Sequence, residues 1–390
     1  MNTIRLVFVW LVGLSAALAQ DAPVIVIGAV ISQTGAQADL GREYARGVEL
    51  WRDAVNADGG LLGRRVELRV LDDGSHARRN AELYGRLINE EKVDLLIGPY
   101  GSAATLIAAG EAERARRVMV NGAGPAAVVQ GRGPRYLFQT TIPYAAHGAG
   151  VLEIAAEAGF RRLLILARDE PGAVEAAEAA LAAAGKTFTV GAIEVYRPGL
   201  TNFATQVAKA RAAQAEAWIA FGDVREAAEM VKTFRKLDYA PPLFFVSGAS
   251  HPLLIALLGQ DAEFTLGAAD FDPHFGAAAR AFAKAFAAKW NVQPGLPAAQ
   301  GYVAGTVLAG GVRSAGTLNQ DKLREALAEL EISTLFGEYR VAPDSGVQTG
   351  AKPMVTQILK GRRQVVWPPA AETAKWFLPY PRWEERTLYK

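Results

Sequence analysis

The chain has 390 residues, with 42 lysines and arginines against 40 aspartates and glutamates, and it has no cysteine. The near-balance of charge argues against nucleic acid as a partner. The absence of thiols excludes a disulfide framework, a cysteine nucleophile and a lipid-modified cysteine behind a leader, and the length suits two domains that each bury a core.

The first segment, "MNTIRLVFVWLVGLSAALAQ", carries Arg5, an apolar run from Leu6 to Leu14, and Ala17, Leu18 and Ala19 in the small-x-small arrangement of a secretory cleavage site. It predicts a signal peptide over residues 1–19, cut after Ala19, and a periplasmic protein that is not a lipoprotein. The apolar run is short for a membrane span. Next, "VIVIGAV" reads as a strand. In "GREYARGVELWRDAVNADGG", Tyr44, Val48, Trp51 and Val55 fall at helical spacing before a glycine stop. "RRVELRVLDD" alternates as a strand, "ARRNAELYGRLINEE" is a helix and "VDLLIG" a strand. A helix opens at Ser102, followed by the strand "RVMVNG" and the loop "AGPAAVVQGRGPRY". This alternation predicts a parallel sheet covered by helices.

A second series follows "YLFQTTIPYAAHGAG". Here "RRLLILAR", "FTVGAIEVY", "AWIAFG" and "PLFFVSG" read as strands, with helices around Val174 to Leu181, Phe203 to Ala212 and Glu226 to Lys236. Two doubly wound lobes are therefore expected, and ligands collect outside the carboxyl ends of such strands. Beyond "DFDPHF" lie the helices "AAARAFAKAFAAKWN", "AAQGYVAGTVLAGGVRSAG" and "LREALAELE". "GEYRV" with "MVTQILKGRRQVVW" is read as a β-ribbon, and "VVWPPAAETAKWFLPYPRWEERTLYK" as an irregular tail packed over a domain surface or a partly disordered end.

The apparent chemical motifs are incomplete. "AAGKT", Ala183 to Thr187, imitates the end of a phosphate loop, but Ala180 stands where the leading glycine belongs, so it reads as a helix stop and turn. Gly122 and Gly124 form a G-x-G with Ala127 in place of the third glycine. His76, His147, His251 and His274 lack metal-ligand spacing; His147 reads as a capping or solvent-facing residue, and His251 as a loop residue within reach of ligand. Asp72 with Asp73, and Glu90 with Glu91, read as turn or surface charges. No catalytic residue, cofactor or metal is expected. The start of the helix at Ser102 is the exception: a hydroxyl beside unpaired backbone N–H groups suits a carboxylate, although on this stretch alone an ordinary N-cap is the favoured reading.

With these residues laid out, the chain resembles the periplasmic leucine/isoleucine/valine-binding proteins, type I solute-binding components of ABC importers. The resemblance lies in "IGAVISQTGAQADLGREYARGVELWRDAVNADGGLLGRRVELRVLDD", "DLLIGPYGSAATL", "MVNGAG", "TNFATQVAKARA" and "GYVAGTVLAGG". It implies an α/β fold of two doubly wound parallel-sheet lobes joined by a three-stranded hinge, with crossings near "LFQTTIP", "ADFDPHF" and "LFGEYRV". One lobe would take residues 24–140 and 272–334, the other 141–271 and 335–365, with the tail over 366–390. It further implies hinge closure on a small-molecule ligand, a permease and ATPase as partners, and a monomer.

In these relatives the residue matching Ser102, and backbone of the loop matching Ala123, Gly124 and Pro125, hold the ligand's carboxylate and ammonium. Ser102 and the N–H of Ala103 carry over. Pro125 brings neither hydroxyl nor N–H, Tyr144 stands where an aspartate is expected, and Ser247 where an acid pairs with ammonium. Either Asp223 supplies that charge or the ligand lacks an α-amino group; the second is favoured, with Tyr100, Tyr144 and Phe221 as apolar or stacking surface and Leu40 in the same ligand-binding set. Phe221 reads equally as core. A sensor for signalling or regulation, or an enzyme on the same lobes, are the rival classes.

Overall fold

The computed structural model describes residues 23–124, 135–369 and 373–386. The expected signal peptide, Pro125 and Ala127 lie outside the described residues.

The first sheet has the order β2-β1-β3-β4-β5, all parallel, built from Ile25–Val30 (β1), Val66–Leu71 (β2), Leu95–Ile97 (β3), Met119–Asn121 (β4) and Leu137–Gln139 (β5). Helices Ala38–Ala57 (α1), Arg79–Asn89 (α2) and Ser102–Arg114 (α3) make the crossovers between the first four strands. Strands β3, β4 and β5 are short runs buried on both faces, as a sheet covered by helices requires, while the edge strand β2 is only partly buried.

The second sheet begins with Arg162–Arg168 (β6). The segment "FTVGAIEVY", expected as one strand, forms two: Thr189–Val190 (β7) and Glu194–Tyr196 (β8), both paired with β6. Val190 lies opposite Leu163 and Glu194 opposite Leu166, so the outer strand carries one residue more than its partner and breaks there as a bulge. Ala217–Phe221 (β9), Leu243–Val246 (β10) and Leu266–Ala269 (β11) continue the parallel sheet. Its helices are Ala149–Glu157 (α4), Pro171–Ala184 (α5), Ala204–Ala212 (α6), Val224–Lys236 (α7) and Leu253–Leu258 (α8). Gly185, at φ 50°, stops α5, so "AAGKT" is the turn its composition suggested.

The chain then returns to the first sheet. Gly276–Trp290 (α9), Leu296–Ala315 (α10) and Gln320–Ala328 (α11) contribute to the same core as β1 and α1. Helix α10 lies so close along α1 that a Cβ on Gly301 would meet the Tyr44 carbonyl oxygen at 2.1 Å. The strand in "GEYRV", Gly337–Tyr339 (β13), pairs only with Ile332–Thr334 (β12), a separate hairpin rather than part of the expected ribbon. Met354–Leu359 (β14) and Arg362–Trp367 (β15) form the ribbon by themselves and join the second sheet antiparallel to β11. The chain thus passes between the sheets after β5, after β11 and before β14.

The tail packs over the second sheet's far end, away from the carboxyl ends of the parallel strands. Tyr380 N–H donates to the Pro242 carbonyl at 2.6 Å, and the buried Gln357 side chain pairs with both backbone groups of Phe377, at 2.8 and 2.9 Å.

Candidate functional site

Strand β3 runs directly into Gly98–Pro99–Tyr100–Gly101, and α3 starts at Ser102. The capping position is Gly101, at φ 92°, and no side chain caps this helix. Thr105 N–H is the first to be answered, by the Gly101 carbonyl at 3.0 Å. The N–H groups of Ser102, Ala103 and Ala104, and the Ser102 hydroxyl, have no partner among the described residues. Ser102 is therefore the first helical residue and not an N-cap. Among the described residues nothing closes this end of the helix dipole, where an anion gains up to about 1–2 kcal/mol.

A buried polar brace fixes the loop facing this helix start. Tyr44, fully buried on α1, donates to the Gly98 carbonyl at 3.1 Å and accepts from Gly122 N–H at 3.2 Å. Asn121 Nδ2 reaches the Ala123 carbonyl, Gln139 Oε1 at 2.9 Å and Thr105 Oγ1 at 3.2 Å. Thr105 donates to the Gly101 carbonyl at 2.8 Å, and Gln139 to the Gly124 carbonyl at 3.2 Å. Gly124, at φ 89°, comes so near that a Cβ there would stand 2.8 Å from Thr105 Oγ1 and 3.1 Å from Ser102 Cα. Ala123 and Gly124 are thus brought beside Ser102. Sequence reading missed Tyr44, Thr105, Asn121 and Gln139. The signal available was a polar residue ending each of two otherwise apolar strands, at Asn121 and Gln139.

The second sheet's corresponding edge is closed upon itself. Asp223 caps α7: one carboxylate oxygen accepts from Arg225 N–H at 2.8 Å and Glu226 N–H at 3.2 Å, and Glu226 reaches back to Asp223 N–H in a capping box. Its other oxygen takes the Arg168 guanidinium, which also meets Glu170 at 2.9 Å. Glu226, only 2% exposed, accepts from Tyr196 OH at 3.1 Å and Gly199 N–H at 2.9 Å. Ser247 Oγ exchanges hydrogen bonds with Gly222 N–H and C=O, each at 3.1 Å. Phe221 is 1% exposed, its ring edge-on to Phe245 at 6.2 Å. The expectation of Phe221 as stacking surface is corrected: it is core of the second sheet.

Tyr100 and Tyr144 are both half-buried. Tyr100 rests edge-on against Tyr44 at 5.9 Å. Burial, then Tyr144 and Glu43, push its phenol up to about 12. Tyr144 wedges against Gly172, where a Cβ would meet its ring at 2.5 Å, and meets His147 edge-on at 5.5 Å. Of the two expectations for His147, capping or facing solvent, it takes the first: it is the C-cap of the turn Tyr144–Ala146, and its ring lies 3.3 Å from Asp270. His251 Nδ1 accepts from Leu253 N–H at 3.1 Å. Leu40, on α1, is 41% exposed. Asp73, expected as a surface charge, is buried and accepts from Ser32 Oγ at 2.6 Å and Asn80 Nδ2 at 2.9 Å.

Among the described residues no group of His, Asp and Glu could hold a metal ion, and no helix is long and apolar enough to cross a membrane.

A family profile described as periplasmic binding protein matches residues 24–362, so the chain belongs to the periplasmic binding protein family. A "Leu/Ile/Val-binding protein homolog 8" from Brucella abortus is 38% identical over 115 residues, 29% of this chain. The match reaches only 28% of that relative's own length. Among solved structures, a protein from Rhodospirillum rubrum assigned to a branched-chain amino acid ABC transporter has TM-score 0.81 and 20% identity, covering 88% of this chain and 100% of that one. The substrate-binding protein LivJ from Streptococcus pneumoniae, in complex with isoleucine, has TM-score 0.67 and 22% identity over 87% and 98% of the two chains. A solute-binding protein from R. palustris, in complex with benzoate, has TM-score 0.67 and 19% identity over 90% and 98%. These likenesses establish the type I periplasmic-binding fold.

Proposed function

With membership of this family as premise, we propose that the chain is the periplasmic solute-binding receptor of an ABC importer and takes a small organic or aromatic monocarboxylate without an α-amino group. The carboxylate lies on the N–H groups of Ser102, Ala103 and Ala104 and the Ser102 hydroxyl. The body of the ligand lies between Tyr100 and Tyr144, beside Ala123 and Gly124.

The observation that carries this reading is the start of α3, where three N–H groups and a hydroxyl have no partner among the described residues, beside a loop held by Tyr44, Asn121 and Gln139. Isoleucine and benzoate, the ligands of the two bound neighbours, share a carboxylate and differ in the ammonium. On this chain Asp223 is committed to Arg168 and its own helix, and Ser247 to Gly222. An ammonium beside the ligand carboxylate would meet no free acid among them, and a buried unpaired charge is costly.

Thermal denaturation in the presence of single compounds tests this, since a ligand that binds only the folded state raises the midpoint. Benzoate and aliphatic monocarboxylates should raise it, while isoleucine and leucine leave it unmoved. A shift with the amino acids alone removes the assignment, and delivery to a reconstituted permease and ATPase checks the transport role.

A further inference from the structure

The wall between the lobes holds a carboxylate that the proposed function leaves unused. Asp270 is the first residue beyond β11, on the second crossing. Its Oδ1 lies 3.3 Å from His147 Nε2 without hydrogen-bond alignment, and neither atom has another partner. The two side chains are 15% and 13% exposed.

The acids around it are committed. Asp272 takes Arg363 at 2.6 Å and His274 N–H at 2.8 Å, and Glu170 takes Arg168 at 2.9 Å. Phe271, between the two aspartates, packs into the first sheet's core, 5.8 Å from Phe282. The backbone at Asp270 is therefore fixed while its charge keeps no hydrogen bond. Asp270 stands one side chain from Tyr144: the His147 ring that it faces meets the Tyr144 ring edge-on at 5.5 Å, and burial first, then Asp270, with Glu170 and Glu175, raises that phenol.

We propose that Asp270 is a specificity-determining residue: it selects, at the ligand end remote from the carboxylate, a group that is cationic or donates a hydrogen bond, and it rejects a second carboxylate. This rests on the monocarboxylate reading above. Like charges in a partly desolvated cleft repel strongly enough to set ligand choice by exclusion. A remote ammonium differs from an α-ammonium, because the latter would stand beside the Ala123 and Gly124 carbonyls, which already accept from Asn121 and Gln139 and carry no formal charge to pair with it.

The test is calorimetric titration of two matched sets: hexanoate, 6-hydroxyhexanoate, 6-aminohexanoate and adipate, and benzoate, 4-hydroxybenzoate, 4-aminobenzoate and terephthalate. The wild-type protein should bind the hydroxyl or amino member of one set at least about tenfold more tightly than its dicarboxylate. Asp270→Asn should shrink that ratio to roughly threefold or less, and Asp270→Glu should keep it. A ratio unchanged in Asp270→Asn, or a dicarboxylate bound as well as the others by the wild type, overturns the proposal. Titration of the Tyr144 phenol in ligand-free protein, identified by its loss in Tyr144→Phe, separates the two ideas. If no probe binds but Asp270→Asn lowers that titration, the monocarboxylate reading falls and the charge at the wall stands. If the titration is unmoved, the proposal falls whatever binds.

Discussion

The helices that begin at Ser102 and at Val224 occupy equivalent places, each starting beyond the carboxyl end of a parallel strand, and their first turns are finished in opposite ways. At Val224 the chain supplies its own anion: Asp223 answers the helix N–H groups, Glu226 completes the box, and Arg168 neutralises the surplus charge. At Ser102 a glycine stands in the capping position and, among the described residues, nothing answers the first turn. An open helix start is a cost that folding alone does not require, whereas a capped one is stabilising by about 1 kcal/mol. The difference is what the proposed function rests on: the second lobe's edge satisfies its own helix start, and the first lobe's edge is where the carboxylate is proposed to lie.

The sharpest way to break this contrast is to open the closed side. Glu226→Ala leaves the buried Tyr196 OH without its acceptor, removes that of Gly199 N–H and half of the capping box, and should cost roughly 2–3 kcal/mol of stability. Urea denaturation measures this, and a loss below about 0.5 kcal/mol would show the second edge less self-contained than its bonds imply. Removing the anchor on the open side comes next: Ser102→Ala should weaken a monocarboxylate about tenfold, the worth of one charge-assisted hydrogen bond, with unfolding unchanged. Calorimetry with benzoate reads it, and unaltered affinity would place the anion elsewhere.

Asp223→Ala is the matched control. It should lower stability by about 1 kcal/mol through the lost cap, while benzoate affinity stays within about twofold. A large affinity loss instead would mean that Asp223 reaches the ligand.

The smallest effect concerns acid. Asp72 sits between the β1 and β2 loops, where burial raises its carboxyl, but Thr34 Oγ1 and the N–H groups of Gly74, Gln33 and Thr34 outweigh this and bring it down to about 2. A carboxyl lower in the folded than in the unfolded chain gives stability that is present above the unfolded value of about 3.9 and lost as pH falls towards about 2. Asp72→Asn should flatten that part of the stability profile, and an identical acid limb in wild type and variant would remove the assignment.

Some of this was legible in the residues. Alternating apolar runs and helical periodicities gave the two parallel series, because that alternation is local. That backbone passes close at Gly98, Gly122 and Gly124 was not legible, since the neighbours that would meet a Cβ there come from elsewhere in the chain. The bulge between β7 and β8 was not legible, since its register is set by β6. The ribbon was misread because "GEYRV" carries the same strand pattern whether it pairs forwards with β14 or backwards with β12.

The sequence by itself determined the lobes, the helix start at Ser102 and the belonging of both to one family, since these rest on patterns within a few residues of each other. Only the tertiary structure decided which polar groups remain free. Asp223 is spent on Arg168, 55 residues away in the chain, and the loop at Ala123 is held by Gln139 through Asn121. A hydrogen bond needs its partner within about 3 Å, and sequence distance does not set that separation, so the difference between a cap and a binding site appears only when the chain is folded.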